Sequence, residues 1–291
     1  MHPIAVGFVL LSAIGHVCWH CQVKRSPAPV IYTWWLMALG ALLFAPLAVW
    51  LAWPLSLPPI GWYCIGATGL FYAGYYSLMA HSYEREDLSR AYPIARGVAP
   101  LATVAWGVLF HGEHPSLAGW LGITGVSIGV LALGYASLRE GKSTVPKAFG
   151  ILAAVGTGLC TSGYSAVDKE GVKHVHLLLY IVLTFAAGAL VQGALLWLGR
   201  GWRVFAAEAS RLRRDAGAGL PFVAALGLGS YLLILWVLRT EPVSYVVTVR
   251  SVAVLLSVFA GTRWLGERGA GSRLAAAALI VAGITAIAVG G

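Results

Sequence analysis

The chain of 291 residues is 59% hydrophobic and only 11% charged, and its formal net charge is +9. A soluble globular domain has about 25% charged residues, so this composition excludes that class and indicates an integral membrane protein. The basic residues lie mostly in short segments between apolar runs, where they set topology, so the positive charge does not indicate a nucleic-acid partner.

Ten apolar segments follow one another along the chain, each close to the length of about 20 residues that a helix needs to cross a bilayer. Backbone groups in lipid must be paired within their own segment, which favours helices over an open sheet. We therefore predict an all-α membrane protein with ten transmembrane helices. The predicted spans are residues 3–23, 30–52, 60–82, 91–110, 117–138, 148–167, 177–198, 216–238, 243–262 and 274–290.

The second half of the chain repeats the first. Residues 87–134 align with residues 241–288 at a constant offset of 154, and a weaker echo links the first and sixth spans. The matched pairs that carry polar or aromatic side chains are Arg96 and Arg250, Glu113 and Glu267, Trp19 and Tyr164, and Lys24 and Lys169. The two glutamates fall at helix ends, where we expect a loop or cap role.

The repeat predicts a division into residues 1–138, a linker at 139–147, and residues 148–291. Five predicted spans precede the linker and five follow it. An odd number of spans per repeat makes the second copy enter the membrane from the opposite side, so we predict two inverted five-helix repeats. Secondary transporters use this arrangement, with a binding site near the midplane where the repeats meet.

Loop charges predict the orientation. By the positive-inside rule, the loops with more basic residues face the cytoplasm, and both termini are then extracytoplasmic. The loops after spans 1, 3, 5, 7 and 9 contain Lys24, Arg25, Arg85, Arg90, Arg139, Lys142, Lys147, Arg200, Arg203, Arg211, Arg213, Arg214, Arg263, Arg268 and Arg273, whereas the opposite set contains Lys169, Lys173 and Arg239.

Arg96 and Arg250 lie inside predicted spans, at one matched depth in the two repeats. A buried arginine is costly in a bilayer and needs a protein, water or ligand partner. One hypothesis is a cationic pair that binds an anionic substrate group. The alternative is a pair of arginines that reach the interface or brace neighbouring carbonyls. Pro93 and Pro100 flank Arg96 and predict a bent helix with freed carbonyls.

Aromatic and polar residues cluster on a few spans and could line a cavity with apolar bodies and hydrogen-bonding tips. We expect Tyr83, Trp120 and Trp202 to belong to the interfacial aromatic belt instead. The predicted substrate-binding residues are Arg96, Arg250, Tyr92, Tyr72, Tyr76, Trp19, His20, Tyr164, Ser165, Asp168, Tyr231 and Trp236.

Metal, cofactor and enzyme chemistry have little support in the sequence. His16, Cys18, His20 and Cys21 form one small cluster without a second set of ligands, so we predict no metal site and no cofactor. We find no phosphate-binding loop, nucleophile elbow or clustered carboxylate pair, and we predict that the protein is not an enzyme. Glycine- and alanine-rich faces on spans 5 and 10 would allow close packing within a monomer or in a homodimer.

Several motifs resemble the EamA family of the drug/metabolite transporter superfamily. They are residues 87–100 (DLSRAYPIARGVAP), the Gly-Glu pairs at 112–113 and 266–267, and residues 16–25 (HVCWHCQVKR). The last of these resembles the opening helix of a subgroup associated with phosphonate utilisation. The resemblance implies ten helices, with spans 1–4 and 6–9 around a central cavity, and alternating access without ATP. It also implies cytoplasmic termini, in conflict with the charge count.

The leading functional hypothesis is a secondary transporter in the cell (inner or plasma) membrane that moves a small polar or anionic metabolite, with export as one direction it allows. One alternative is an amine or amino-acid exporter in which Asp168 would be the counter-ion. The other is a non-transporting scaffold or partner subunit. The predicted partners are a small-molecule substrate and the lipid bilayer.

Overall fold

The structure is a computed structural model that describes residues 1–86, 88–140, 147–264 and 274–290. All regular secondary structure in these ranges is α-helical, which confirms the predicted all-α class. The helices are α1 (Pro3–Arg25), α2 (Pro29–Leu51), α3 (Pro59–Arg85), α4 (Leu88–His111), α5 (Leu117–Glu140), α6 (Lys147–His174), α7 (Leu177–Arg200), α8 (Trp202–Ala216), α9 (Gly219–Leu238), α10 (Val243–Arg250), α11 (Ala253–Trp264) and α12 (Leu274–Gly290). Glu267 and residues 141–146 of the predicted linker lie outside the described ranges.

Six of the described helices are long and apolar enough to cross a membrane by length and composition. They include α1, α2, α7 and α9 and most of α4 and α6. Shorter apolar stretches occur at Leu117–Ala132, Val243–Ser257 and Ala276–Gly290. The count of ten spans therefore stays a prediction.

Within the predicted span at 243–262, a turn interrupts the helix after Arg250. Ser251 and Val252 form a turn whose backbone N–H groups donate to carbonyls three residues earlier, at 3.0 and 3.1 Å. Arg250 thus lies at the C-terminal end of α10, where the helix dipole favours a cation. The break also brings the Ser251 hydroxyl to the carbonyl oxygen of Arg96, at 3.3 Å. Pro100 lacks the N–H that would otherwise bond this oxygen, so the hydroxyl supplies a replacement donor.

The stretch predicted as a loop between spans 7 and 8 is instead an amphipathic helix, α8. Phe205, Ala209 and Leu212 are buried and lie four and three residues apart, on one helix face. The indole N–H of Trp35 on α2 donates to the carbonyl oxygen of Ala209 at 3.0 Å. The opposite face of α8 is polar and exposed. This segment therefore has the composition of an interfacial helix rather than that of a flexible connection.

The small-residue faces of α5 and α12 pack against each other within one chain. A Cβ atom added at Gly122 would lie 2.6 Å from the carbonyl oxygen of Gly283, and one added at Gly283 would lie 2.7 Å from that of Gly122. Only glycine permits this backbone approach. Of the two packing arrangements that the sequence left open, the intramolecular one is present. The oligomeric state stays a prediction.

Candidate functional site

His16 lies between the two buried arginines of the repeat. Its Nε2 atom contacts Nη2 of Arg96, and its Nδ1 atom lies 3.0 Å from Nη2 of Arg250. The exposed fraction is 3% for His16 and 2% for each arginine. Helices α1, α4 and α10 therefore bring three basic side chains to one point, and the matched depth of the arginines in the sequence corresponds to a shared contact in space.

The three side chains cannot satisfy one another by hydrogen bonds. A guanidinium group only donates, and a neutral imidazole has one nitrogen that accepts and one that donates. Because both ring nitrogens of His16 face guanidinium N–H groups, one of the two contacts must join donor to donor whichever tautomer is present. The cluster therefore has more donors than acceptors, and a ligand that only accepts would complete it.

No carboxylate forms an ion pair with Arg96 or Arg250 in the part of the chain that the structure describes. The ion pairs found there join other residues and involve neither Arg96 nor Arg250. Two buried guanidinium nitrogens, Nη1 of Arg96 and Nε of Arg250, have no hydrogen-bond partner among the described atoms. A buried donor without a partner is costly, and a buried charge more so, which is why such groups point to a ligand-binding role.

Each arginine also lies near the face of a tyrosine from the predicted site. The Cζ atom of Arg96 is 5.2 Å from the ring centroid of Tyr92, and that of Arg250 is 5.0 Å from the ring centroid of Tyr231. Cation–π attraction orients the guanidinium groups without using their N–H donors. Nη1 of Arg96 and Nε of Arg250 thus remain as donors without a partner among the described atoms.

His20 extends the cluster along α1. Its Nε2 atom lies 2.8 Å from Nε2 of His16 and 3.2 Å from the hydroxyl of Tyr75. Its Nδ1 atom lies 2.5 Å from the hydroxyl of Tyr83. The expectation that Tyr83 belongs to the interfacial belt is wrong, because its ring is 3% exposed and its hydroxyl is bonded inside the bundle.

Aromatic rings enclose the other side of the arginines. Tyr72 contacts both Tyr164 and Tyr231 edge to face, with ring centroids 5.0 and 6.0 Å apart. The ring centroids of Trp19 and Tyr76 lie 5.7 Å apart, and these two residues complete the aromatic group of predicted site residues. Two small cavities remain, one lined by His20, Arg96 and Thr157 and one by His16, Arg250 and the aromatic group, each with a volume of about 10 Å³. Each has room for about one water molecule, so the site is closed in this conformation.

Asp168 lies beside the aromatic group but does not face the cavities. Its Oδ1 atom accepts hydrogen bonds from the hydroxyls of Thr68 and Tyr180, at 2.6 and 2.7 Å. Its Oδ2 atom accepts one from Tyr231, at 2.6 Å. The carboxylate is fully buried. Thr68 and Tyr180 hold it in place, and it positions Tyr231, whose ring lies near Arg250.

Two other predicted site residues, Ser165 and Trp236, also line neither of the two cavities. The hydroxyl of Ser165 donates to the carbonyl oxygen of Thr161 on the same helix at 2.7 Å. Trp236 is 43% exposed and packs against Phe8, with ring centroids 4.9 Å apart. Trp236 lies on an outer face of α9 whereas Tyr231 lies on the inner one, so a role for Trp236 in substrate binding stays a prediction that these contacts do not support.

Glu113 has the cap role that its position predicts. It follows α4 and accepts hydrogen bonds from the backbone N–H groups of Val243 and Ser244, at 2.5 and 3.2 Å, and from the Ser244 hydroxyl at 2.6 Å. A carboxylate at the N-terminus of a helix pairs otherwise unbonded donors and favours the helix dipole. Glu113 therefore fixes the start of α10, the helix that ends at Arg250.

The described residues contain no group of three or more His, Cys, Asp or Glu side chains that could hold a metal ion. None of the four cysteines, all of which lie in the described ranges, forms a disulfide, and Cys21 and Cys64 are buried. The His16–His20 pair is used instead in contacts with arginine and tyrosine.

Comparison with known proteins identifies the family. The model of the EamA-like transporter family matches twice, over residues 3–135 and 148–289. The chain belongs to the EamA family. The two matches correspond to the two halves of the internal repeat and cover nearly the whole sequence, so this EamA protein is a multi-pass, transporter-like membrane protein.

The EamA fold is also found among solved structures. A crystal structure described only as that of a protein matches with a TM-score of 0.70 at 18% identity, over 98% of this chain and 96% of its own. At this identity the likeness shows the fold alone. No curated protein sequence matches the chain.

Proposed function

We propose that this EamA protein is a secondary transporter that moves a small anionic metabolite across the cell membrane, with Arg96 and Arg250 binding the anionic group. The observation that carries the proposal is the shared His16, which brings two buried guanidinium groups together. An oxyanion has several acceptor sites and no donors when fully ionised, so it would relieve the donor excess and the charge excess together.

The proposed mechanism is alternating access by two inverted five-helix repeats, ten spans in all. Cavities of about 10 Å³ cannot hold a metabolite, so binding and release require helices to separate on one side of the site and then on the other. The broken helix α10–α11 and the proline-containing α4 carry the two arginines. Discontinuous helices at a midplane site are a recurring device of secondary transporters. The direction of transport, of which export is one option, would be set by the ion or exchanged solute to which transport is coupled.

The amine-export alternative has less support. A cationic substrate would enter beside two guanidinium groups, and like charges repel. Asp168, the predicted counter-ion, already accepts three hydroxyl hydrogen bonds and is fully buried. Its geometry suits a residue that positions Tyr231 rather than one that binds substrate.

Thermal unfolding of the purified protein with phosphate, methylphosphonate, lactate, acetate and an amine control tests the proposal. A ligand that binds only the native state stabilises it by about 2.7 kcal/mol at 100 times its Kd. We expect stabilisation by at least one anion, its loss in Arg96→Gln and Arg250→Gln, and its retention in the control Arg239→Gln, since Arg239 is exposed. In His16→Leu, we expect the anion-induced shift to increase, because the anion replaces the lost imidazole acceptor.

Uptake or release of the same anion by proteoliposomes tests transport itself. We expect activity that the two glutamine substitutions abolish and the Arg239→Gln control keeps. Undiminished anion transport by both Arg96→Gln and Arg250→Gln would refute the anion site. Stabilisation without any flux would favour the scaffold alternative.

A further inference from the structure

Two lysines at equivalent positions of the repeats make the same contact. Lys24, in the last turn of α1, donates to the carbonyl oxygens of Tyr83 and Glu86 at 2.6 and 2.8 Å. Lys169, near the end of α6, donates to the carbonyl oxygens of Leu238 and Glu241 at 3.3 and 2.7 Å. In both repeats the two accepting residues are three apart. The first lies at the end of α3 or α9, and the second lies in the link to α4 or α10.

The chemistry of the two contacts is also the same. The last carbonyls of a helix have no N–H partner within it, and the negative end of the helix dipole lies there. A lysine ammonium ion provides donors and a positive charge for this end. We call the two contacts the Glu86 corner, held by Lys24, and the Glu241 corner, held by Lys169.

The corners lie at opposite ends of the bundle. The backbone N–H of His2, at the start of α1, donates to the side chain of Glu241 at 2.8 Å, whereas Lys24 lies at the other end of α1. A helix of this length spans about 33 Å between those residues. In the same way, the Ser82 hydroxyl near the Glu86 corner donates to the carbonyl oxygen of Gly150, at the start of α6, at 3.2 Å.

Each corner therefore joins the first helices of both repeats. At the Glu86 corner, Lys24 of α1 binds the end of α3 in its own repeat, and the beginning of α6 packs against this corner. At the Glu241 corner, Lys169 of α6 binds the end of α9, and the beginning of α1 packs against it. Helices α1 and α6 consequently run in opposite directions. The cluster of His16, Arg96 and Arg250 lies between the corners, and the two cavities beside it have volumes of only about 10 Å³ each.

We propose that Lys24 and Lys169 are the two gating residues of the transport cycle, each holding one side of the central site shut. Opening one side requires one lysine to release its two carbonyl oxygens while the other lysine keeps its contacts. The symmetric pair thereby allows two states of similar energy, open to one side or the other, with the closed conformation between them. This proposal rests on transport by the protein but not on the charge of its substrate.

Cysteine reporters on the two sides of the site test the proposal. Thr157 is buried, lines the cavity beside Arg96 and lies on α6 toward the Glu86 corner. Its counterpart in the repeat is Ser12, which is buried on α1 toward the Glu241 corner. Thr157→Cys and Ser12→Cys would each be made in a background without the native cysteines. Labelling with a hydrophilic maleimide, in the absence of substrate, then reports the opening of each side.

We expect Lys24→Met to raise the labelling rate of the Thr157→Cys reporter by about tenfold and to leave the Ser12→Cys reporter nearly unchanged, because two charge-assisted hydrogen bonds are lost at one corner only. Lys169→Met should do the reverse. Lys24→Arg and Lys169→Arg, which keep the charge and the donors, should restore slow labelling at the corresponding reporter. Proteoliposomes carrying either methionine variant should lose most of their flux, because a side that does not close cannot alternate.

Lys173→Met is the matched control, since Lys173 is an exposed lysine on α6 that pairs only with the nearby Glu170 among described residues. Unchanged labelling in both methionine variants would overturn the proposal, and so would an equal rise at both reporters, which indicates general loosening. The assay needs no substrate. Side-specific labelling together with failed anion binding would therefore overturn the anion site and leave the gates standing.

Discussion

Glu113 offers the most direct test of how the repeats are held together. Its carboxylate accepts three hydrogen bonds from the first two residues of α10 and is 9% exposed. In Glu113→Ala two backbone N–H groups and one hydroxyl lose their acceptor. Loss of a side-chain cap costs about 0.5–2 kcal/mol, and each buried donor left unpaired costs about 1–3 kcal/mol. Some of these donors will reach water, so we expect a loss of about 3 kcal/mol in the free energy of unfolding.

Reversible unfolding in mixed micelles measures this loss. Glu113→Gln keeps one acceptor oxygen and the side-chain shape, so it should cost less, about 1–2 kcal/mol. Glu170→Gln is the control, because the ion pairs of Glu170 are exposed and contribute little. Because α10 is only eight residues long and ends at Arg250, Glu113→Ala should also weaken anion binding. A loss below about 1 kcal/mol in Glu113→Ala would refute the reasoning.

The remaining predictions concern two residues of the predicted site. Asp168→Asn should weaken anion binding by about three- to tenfold through Tyr231, because an amide nitrogen cannot accept its hydroxyl hydrogen bond; a rise in the KM for an amine with no change for anions would instead support a counter-ion role. Trp236→Ala should leave anion binding within about twofold of the original in the thermal-shift assay, since Trp236 packs on the outer face against Phe8. A loss comparable to that of Arg250→Gln would return Trp236 to the site.

The fold could be predicted from hydropathy because a bilayer forces helices and fixes their length. The two departures have local causes that hydropathy does not detect. The break after Arg250 depends on a serine turn that faces another helix, and apolar residues continue through it. Helix α8 has too many charges to resemble a span, and its apolar stripe becomes evident only at a period of 3.6 residues.

The candidate site could be predicted in part. The repeat pointed to Arg96 and Arg250, and the structure brings both to His16. From the sequence, His16 is a candidate only as a metal ligand, although its spacing of four from His20 places both on one helix face. The sequence could not distinguish the inward Tyr231 from the outward Trp236, because span 8 is apolar on all sides and has no polar face to orient it.

His16 also makes the centre of the protein asymmetric. Its counterpart in the repeat is Thr161, whose hydroxyl donates to Thr157 on its own helix, so a single imidazole serves two arginines that are otherwise related by the duplication. A five-helix ancestor that paired with a second copy of itself would have carried either two histidines here or none. Once both copies were joined in one chain, each could mutate alone. Under the proposed transport function, a bound anion would therefore meet chemically different surroundings on its two flanks and would have a preferred orientation in the site.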